Sequence, residues 1–227
     1  MLGPGEVHLW RAPLDLGPAG VRRLEGVLAP EERARAERFR FAIDRDRYVA
    51  ARGQLRTILA AYLRRHPERL RFEQGAQGKP ALAAEDERAG LRFNLAHSDA
   101  VAVFAVTRVG AVGVDVELVR ADLPFDEMAE RFLPPRDCDA IRGLLGTTRA
   151  EAFAACWTRK EAYLKASGVG LAGADERSGP FETDSFTPSD WCLQRIDPQP
   201  GYVGALAVEG HGWTVRPWQW TEASFIE

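Results

Sequence analysis

The sequence predicts an α+β fold with mostly antiparallel sheets. Strand patterns at 6–12 and 91–118 enclose helical patterns at 29–66, and the order recurs when helices at 125–167 are followed by short strands at 191–218. Helices and strands that are grouped in this way are typical of α+β domains. The chain has 227 residues, of which 45% are hydrophobic, so it can bury a core without disulfides.

Turn and capping residues bound the elements of the first half. The segment Ala29–Glu32 opens a helix, because an early proline and acids in the first turn favour a helix start, and we expect this helix to reach about Phe41. A second helix runs from about Asp44 to His66 and ends before Pro67. Strands are expected at 6–12, 70–74, 91–96, 101–106 and 111–118, with loops at 75–80 and 83–90. The last three strands follow one another through short turns, which predicts an antiparallel meander.

The second half begins with helices and ends with strands. Apolar residues at helical spacing predict helices at about 125–132, 136–145 and 148–167. Proline and glycine then separate three short strands, at 191–196, 202–208 and 213–218.

Composition and charge exclude several classes of protein. The formal net charge of −3 does not favour nucleic acid as a partner. No apolar run approaches the roughly 20 residues that span a bilayer, and no signal peptide is visible. The three cysteines are widely spaced and form neither a zinc motif nor a disulfide framework, which indicates a cytoplasmic protein.

A basic block stands out from this acidic background. Eight arginines lie between Arg33 and Arg56. Such a block suits an anionic ligand, but it is also typical of a solvated helix face, because Glu31, Glu32 and Glu37 are interspersed with it.

The strand at 111–118 places two carboxylates on one face. Side chains alternate along a strand, so Asp115 and Glu117 point to the same side, about 7 Å apart by strand rise. Ala111 and Gly113 on that face leave room for a divalent ion that holds phosphate oxygens, since Mg²⁺ takes one or two carboxylates plus substrate phosphates. A half-exposed edge strand with solvated acids would show the same pattern.

The helix ending near 167 carries a third acid. Glu161 lies beside an apolar face that includes Phe153, Trp157 and Leu164, where an unpaired charge is costly. It could therefore converge on the two acids of the strand, and Lys165, one turn later, could hold a phosphate. The alternative is an ordinary surface pair between positions 161 and 165.

Three segments in this order resemble the motifs of the Sfp-type 4′-phosphopantetheinyl transferases: FNLAHS at 93–98, VGVDVE at 112–117 and WTRKEAYLK at 157–165. The similarity begins near Ala29 and includes the loop Gly78-Lys79-Pro80. The strands after the third motif match only in general character.

The resemblance implies both a fold and a reaction. The fold has two similar α/β subdomains related by a pseudo-twofold axis, with coenzyme A between them. We expect residues 1–108 to contact the nucleotide and residues 109–227 to hold the metal and the carrier protein. Such enzymes transfer 4′-phosphopantetheine from coenzyme A to a serine of an acyl or peptidyl carrier protein. They use Mg²⁺ and release adenosine 3′,5′-bisphosphate. We expect a monomer without membrane or nucleic-acid partners.

The motif positions imply roles for four residues of the reaction centre. Asp115, Glu117 and Glu161 correspond to metal-binding acids, and Lys165 to a phosphate-contacting lysine. A carboxylate near the carrier serine can accept its proton. Glu161 and Glu117 are equal candidates for this role.

Other positions correspond to coenzyme A contacts. The resemblance assigns His97 and Lys79 to the ligand, and Arg47 and Arg52 to its phosphates. Ala96 departs from the motif, which often has serine before the histidine. The missing hydroxyl would weaken binding by about one hydrogen bond, 0.5–1.5 kcal/mol.

Carrier proteins are usually acidic, so a positive rim with apolar contacts is expected on the helices after the metal strand. The candidate residues are Arg131, Arg136, Arg142, Phe125, Phe132 and Leu133. Ordinary core packing is the alternative for the three apolar residues, and for Phe132 it explains the pattern equally well.

Two other classes of function stay open. A phosphohydrolase that uses the same three acids would release phosphopantetheine into water without a carrier. A non-catalytic module would bind coenzyme A or a carrier, but it would not need all three acids together.

Overall fold

The computed structural model describes residues 2–75, 79–84, 90–168 and 190–221. The strands within these residues are β1 (Glu6–Pro13), β2 (Phe72–Gln74), β3 (Pro80–Leu82), β4 (Arg92–Ser98), β5 (Val101–Thr107), β6 (Val112–Leu118), β7 (Trp191–Ile196), β8 (Tyr202–Glu209) and β9 (Thr214–Gln219). The helices are α1 (Pro18–Gly26), α2 (Pro30–Ala36), α3 (Ala42–Leu63), α4 (Phe125–Phe132), α5 (Pro135–Arg142) and α6 (Gly146–Ser167), and a 3₁₀ turn covers Pro67–Arg69.

Two sheets and a short ribbon organise these strands. The first sheet has the order β4-β5-β1-β9, in which β1 and β9 are parallel and the other pairs are antiparallel. The second sheet, β6-β8-β7, is antiparallel throughout. β2 and β3 form a separate antiparallel ribbon. The mixed α+β class with antiparallel-rich sheets is therefore confirmed.

Each sheet is covered by a 22-residue helix. On the first sheet, Leu55, Ile58 and Leu59 of α3 share an apolar cluster with Trp10 and Phe104. Burial of such side chains contributes roughly 1.5–3 kcal/mol each. On the second sheet, α6 packs across β6 and β8 through alanines.

Gly113 allows α6 to approach β6 closely. A Cβ atom at this position would overlap the carbonyl oxygen of Ala162 and would lie 2.5 Å from the amide nitrogen of Ala166. The expectation that Gly113 leaves room for an ion is therefore wrong, because the helix backbone fills that space.

The predicted meander is also wrong at its last strand. β4 and β5 pair as expected, but β6 leaves them and pairs with β8 in the second sheet. The backbone groups on the other edge of β6 are bound by side chains, as described below. Local alternation predicts a strand but does not identify its neighbour.

Most element positions are confirmed, with several exceptions. α1 and β3 were not expected, and α2 ends at Ala36 rather than Phe41. β9 lies in the first sheet beside β1, so the first and the last of the described strands are paired. The division at residues 108 and 109 and the pseudo-twofold axis stay predictions.

No helix in the described part of the chain is both long and apolar enough to cross a membrane.

Candidate functional site

The edge of β6 that does not pair with β8 faces β4, and β4 supplies side chains to it. The amide of Val114 donates to Asn94 Oδ1 at 2.8 Å, and the amide of Leu118 donates to Ser98 Oγ at 3.1 Å. Buried amides need such partners, so polar side chains of β4 take the place of a backbone ladder. This arrangement joins the two sheets at the motif strands.

Two lysines bind the carbonyl groups on the same edge. The ammonium of Lys79 donates to the carbonyl of Val112 at 2.9 Å, and that of Lys165 approaches the carbonyl of Val114 at 3.5 Å. The free edge of β6 is thus bordered by residues from the loop before β3, from β4 and from α6. The site is built on this edge.

Asp115 lies on β6 and faces α6. Its side chain is 7% exposed, and its Oδ1 atom accepts a hydrogen bond from Lys165 Nζ at 2.6 Å. Its Oδ2 atom is buried and has no partner among the described residues. Burial raises the pKa of Asp115 to about 7, against the opposing charge of Lys165 and with support from the negative charges of Glu117 and Glu161.

Glu161 presents a second buried oxygen without a partner. The residue is 9% exposed, and its Oε1 atom makes no hydrogen bond within the described residues. Burial raises the pKa of Glu161; the positive charges of Lys165 and Lys160 oppose this shift, and Glu117 adds to it. Glu161 therefore lies close enough to Glu117 for their charges to interact.

Glu117 is half-buried and held by a neighbouring strand. The hydroxyl of Ser98 donates to Glu117 Oε2 at 2.7 Å while its oxygen accepts the amide of Leu118. Ser98 thereby fixes one carboxylate oxygen and leaves Oε1 for another partner. Ser98 is the last residue of the FNLAHS segment, but the resemblance assigned no role to it.

The donor set of these acids suits a hard divalent cation. The charges of Asp115, Glu117 and Glu161 interact with one another. Two buried oxygens of this set, on Asp115 and Glu161, have no hydrogen-bond partner among the described residues, which is costly unless a ligand binds them. Oxygen donors of this kind are preferred by Mg²⁺. However, the three acids do not surround one common position as they are arranged in this structure. Among the described residues, no group of three or more His, Cys, Asp or Glu side chains is arranged to share an ion.

A groove of about 500 Å³ lies beside the site, between α2, α3 and the β2–β3 ribbon. Its lining includes Arg35, Arg38, Tyr48, Arg52 and His97. The groove is also lined by Glu31, Glu32 and Glu73, of which Glu32 is bound by Arg52. Arg35 and Arg38 are the cations that suit an anionic ligand. Arg35 and Arg38 belong to the basic block, but the sequence did not indicate which of its arginines face a groove.

His97 points into this groove from β4. Its side chain is exposed by surface area, but it lies among enough protein atoms that desolvation lowers the pKa of the imidazole. The charges of Lys165 and Arg47 act in the same direction. The ring is therefore neutral near pH 7 and able to donate or accept a hydrogen bond. Ala96 points the opposite way, into an apolar cluster.

The two predicted phosphate arginines are already paired. Arg47 donates to Asp15 Oδ1 and to Asp99 Oδ1, each at 2.7 Å, and these carboxylates raise the pKa of its guanidinium. Arg52 lines the groove but donates to Glu32 Oε1 at 2.5 Å. Their role as ligand contacts stays a prediction.

Lys79 also has protein partners. Besides Val112, it binds the carbonyl of Lys165 at 2.7 Å. Its predicted contact with coenzyme A stays a prediction. Gly78 of the same loop lies outside the described residues.

The proposed carrier surface is only partly exposed. Phe125 and Leu133 are buried in the cluster beneath α4 and α5, so their expected role as surface contacts is wrong. Phe132 is half-buried and packs edge-on against Trp157. The three arginines of the expected rim are exposed, at positions 131, 136 and 142.

Comparison with known proteins gives a consistent result across the chain. Residues 111–207 match the model of the 4′-phosphopantetheinyl transferase superfamily, and residues 20–108 match that of the N-terminal part of 4′-phosphopantetheinyl transferases. The chain is 38% identical to 4′-phosphopantetheinyl transferase HetI of Nostoc sp. over 219 residues, 95% of this chain and 92% of that protein.

Two further relatives are more distant. The chain is 32% identical to a phosphopantetheinyl transferase of Thraustochytrium sp., over 92% of this chain and 80% of that protein. It is 31% identical to the L-aminoadipate-semialdehyde dehydrogenase-phosphopantetheinyl transferase of Homo sapiens, over 66% of this chain and 52% of that protein. The Sfp-type subdivision stays a prediction, but the extent of these matches shows that the chain is an enzyme of the 4′-phosphopantetheinyl transferase family.

Proposed function

We propose that this enzyme transfers 4′-phosphopantetheine from coenzyme A to a serine hydroxyl of an acyl or peptidyl carrier protein and releases adenosine 3′,5′-bisphosphate. The observation that carries the proposal is the pair of buried carboxylate oxygens, on Asp115 and Glu161, that have no hydrogen-bond partner among the described residues. They lie near Lys165 and near a groove that several arginines line, and a reaction at a pyrophosphate needs such positive charges.

In this proposal the serine oxygen attacks the phosphorus that bears the pantetheine arm. The bond from that phosphorus to the bridging oxygen breaks, and adenosine 3′,5′-bisphosphate leaves. The serine proton passes to a carboxylate, Glu161 or Glu117, directly or through water. Lys165 supports the negative charge on the transferred phosphate, because its ammonium lies at the free edge of β6 and contacts Asp115.

Asp115, Glu117 and Glu161 would hold Mg²⁺. When bound, the ion supplies charge neutralisation for the pyrophosphate. The protein supplies the remaining requirements. Ser98 fixes the orientation of Glu117. Burial makes the negative charges of Asp115 and Glu161 unfavourable unless a cation binds them. Asp115 and Glu161 would then ionise together with ion binding.

The groove lined by Arg35, Arg38, Tyr48 and His97 would hold the nucleotide end of coenzyme A. Its guanidinium groups are suited to phosphate oxygens. Arg52 would contribute after partial release from Glu32, and Arg47 and Lys79 remain candidate contacts. The carrier would approach from the exposed arginines of α4 and α5. The reaction would take place in the cytoplasm with the enzyme as a monomer.

A panel of apo carrier proteins tests the proposal directly. Each carrier is incubated with the enzyme, coenzyme A and Mg²⁺, and intact-protein mass spectrometry measures conversion. We expect at least one carrier to gain one phosphopantetheine. Failure with fatty acid, polyketide and peptide synthetase carriers alike would contradict the proposal. Release of free phosphopantetheine without a carrier would favour the hydrolase alternative.

A further inference from the structure

Lys79 lies between the nucleotide groove and the reaction centre. It directly precedes β3, and the next residue, Pro80, lines the groove between α2, α3 and the β2–β3 ribbon. Its ammonium points the other way, toward the beginning of β6 and the end of α6. One residue therefore connects the ribbon of the first half to both elements that carry the acids.

The two acceptors of this ammonium explain why it is held there. Val112 O belongs to the free edge of β6, and Lys165 O lies in the last turn of α6, where carbonyl groups lack helical partners. A positive charge at a helix C-terminus is favourable. Lys79 thus fixes the strand with Asp115 and Glu117 relative to the helix with Glu161.

This placement has an electrostatic cost. Burial, together with the positive charges of Arg92 and Lys165, lowers the pKa of Lys79 to about 8. An ammonium that was only awaiting a phosphate could remain in the solvated groove. The observed position instead satisfies two backbone carbonyls and leaves the groove to Arg35, Arg38 and His97.

We infer that Lys79 is a positioning residue that holds β6 and α6 in register beneath the bound nucleotide, and that its ammonium does not bind the 3′-phosphate of coenzyme A. The inference rests on the proposed function for its catalytic consequence. Loss of the ammonium should misplace the acids and lower kcat. It should leave unchanged the preference for coenzyme A over 3′-dephospho-coenzyme A.

Kinetics of three variants test the inference. Lys79→Met removes the charge, Lys79→Arg restores a charge at a different geometry, and Arg38→Met removes a charge from the groove wall. For Lys79→Met we expect kcat to fall about 10- to 100-fold, with the ratio of kcat/KM for the two nucleotides within twofold of wild type. Lys79→Arg should recover part of kcat. Arg38→Met should raise KM for coenzyme A instead.

The opposite pattern would overturn the inference. If Lys79→Met raises KM for coenzyme A, retains kcat and abolishes the preference for the 3′-phosphate, the lysine is a ligand contact. Thermal unfolding of each variant identifies loss of activity that is due to loss of fold.

A second measurement does not depend on activity. Amide hydrogen exchange of the ligand-free enzyme should become faster in Lys79→Met at the beginning of β6 and in the last turn of α6, and should not change there in Arg38→Met. Unchanged exchange would refute the positioning role. If wild type modified no carrier but exchange changed as expected, the proposed function would fail while the structural coupling would stand.

Discussion

Two buried carboxylates, one in each half of the molecule, have nearly the same exposure but pKa values that are shifted in opposite directions. Glu32 is 6% exposed and Asp115 is 5% exposed. In Glu32, Oε1 accepts from Arg52, and Oε2 accepts from Arg56 and from the amide of Ala29. Burial alone would raise its pKa, but the arginine charges and hydrogen bonds lower it.

In Asp115, Oδ1 accepts a hydrogen bond from Lys165, and Oδ2 has no partner within the part of the chain that the structure describes. Burial therefore prevails, and its pKa is raised. The comparison separates a structural acid from an acid proposed to bind a ligand. The structural acid has partners for both carboxylate oxygens, whereas the other keeps one buried oxygen without a partner among the described residues. Glu161 belongs to the second class for the same reason.

The largest expected effect is on turnover by Asp115→Ala or Asp115→Asn. Loss of a metal-binding carboxylate should lower the rate of carrier modification by about 1,000-fold or more, which corresponds to several kcal/mol of charge stabilisation. The fold should stay intact, as judged by circular dichroism. A variant that turns over at the wild-type rate would remove Asp115 from the metal site.

The matched substitution in the first half should affect stability instead. Glu32→Gln leaves Arg56, whose side chain is 1% exposed, without its charged partner. Removal of one member of a buried ion pair costs about 3–5 kcal/mol, so the free energy of unfolding in urea should fall by that amount. A change below about 1 kcal/mol would mean that Glu32 is not a structural acid in this sense.

The pH dependence of stability sharpens the comparison further. The pKa of Asp115 is raised from its ordinary value of 3.8 to about 7 in the folded protein. The carboxyl of Asp115 therefore ionises at a lower pH in the unfolded chain than in the folded protein. As pH rises from about 4 to about 7, this difference lowers the free energy of unfolding by up to about 4 kcal/mol. In metal-free samples, wild type should lose stability over this range relative to Asp115→Asn.

If the free energies of unfolding of wild type and Asp115→Asn changed with pH in parallel, the fold would not raise the pKa of Asp115. Added Mg²⁺ should stabilise wild type more than Asp115→Asn at pH 8, because ion binding offsets the burial of charge. Urea titrations with and without the ion measure both effects.

The smallest expected effect concerns Ser98→Ala. Without the hydroxyl, Glu117 loses a hydrogen bond at 2.7 Å and its orientation becomes less restricted. We expect the Mg²⁺ concentration for half-maximal rate to rise about 10-fold, with the rate at saturating ion within about twofold of wild type. Ser98→Thr, which keeps the hydroxyl, is the control. An unchanged requirement for Mg²⁺ would show that Ser98 only supports the backbone of β6.

The sequence was most informative where local periodicity decides the structure. Alternation at 112–118 correctly placed Val114 and Val116 on the core face and Asp115 on the opposite face. Helical spacing likewise placed Glu161 and Lys165 on one side of the helix, and the contact of Lys165 with Asp115 shows that Lys165 reaches β6. These relations depend only on the geometry of a strand and of a helix.

The sequence was least informative about contacts between distant segments. It did not predict that β6 pairs with β8, or that Arg47 and Arg52 already have carboxylate partners. It also missed α1, which begins at Gly17-Pro18 without a capping side chain and presents only a few apolar residues. Contacts of this kind form between segments that are distant in the sequence, so a pattern within one segment does not predict them.

The free edge of β6 has a consequence for handling the enzyme. A strand edge without a backbone partner can recruit other chains and promote aggregation. In β6 this edge is buried, and side chains of Lys79, Asn94, Ser98 and Lys165 bind it. Because Lys165 is also proposed to support the transfer, variants at these positions that lose activity should show increased self-association on storage. Solubility screens of such variants therefore need to be interpreted together with their rates.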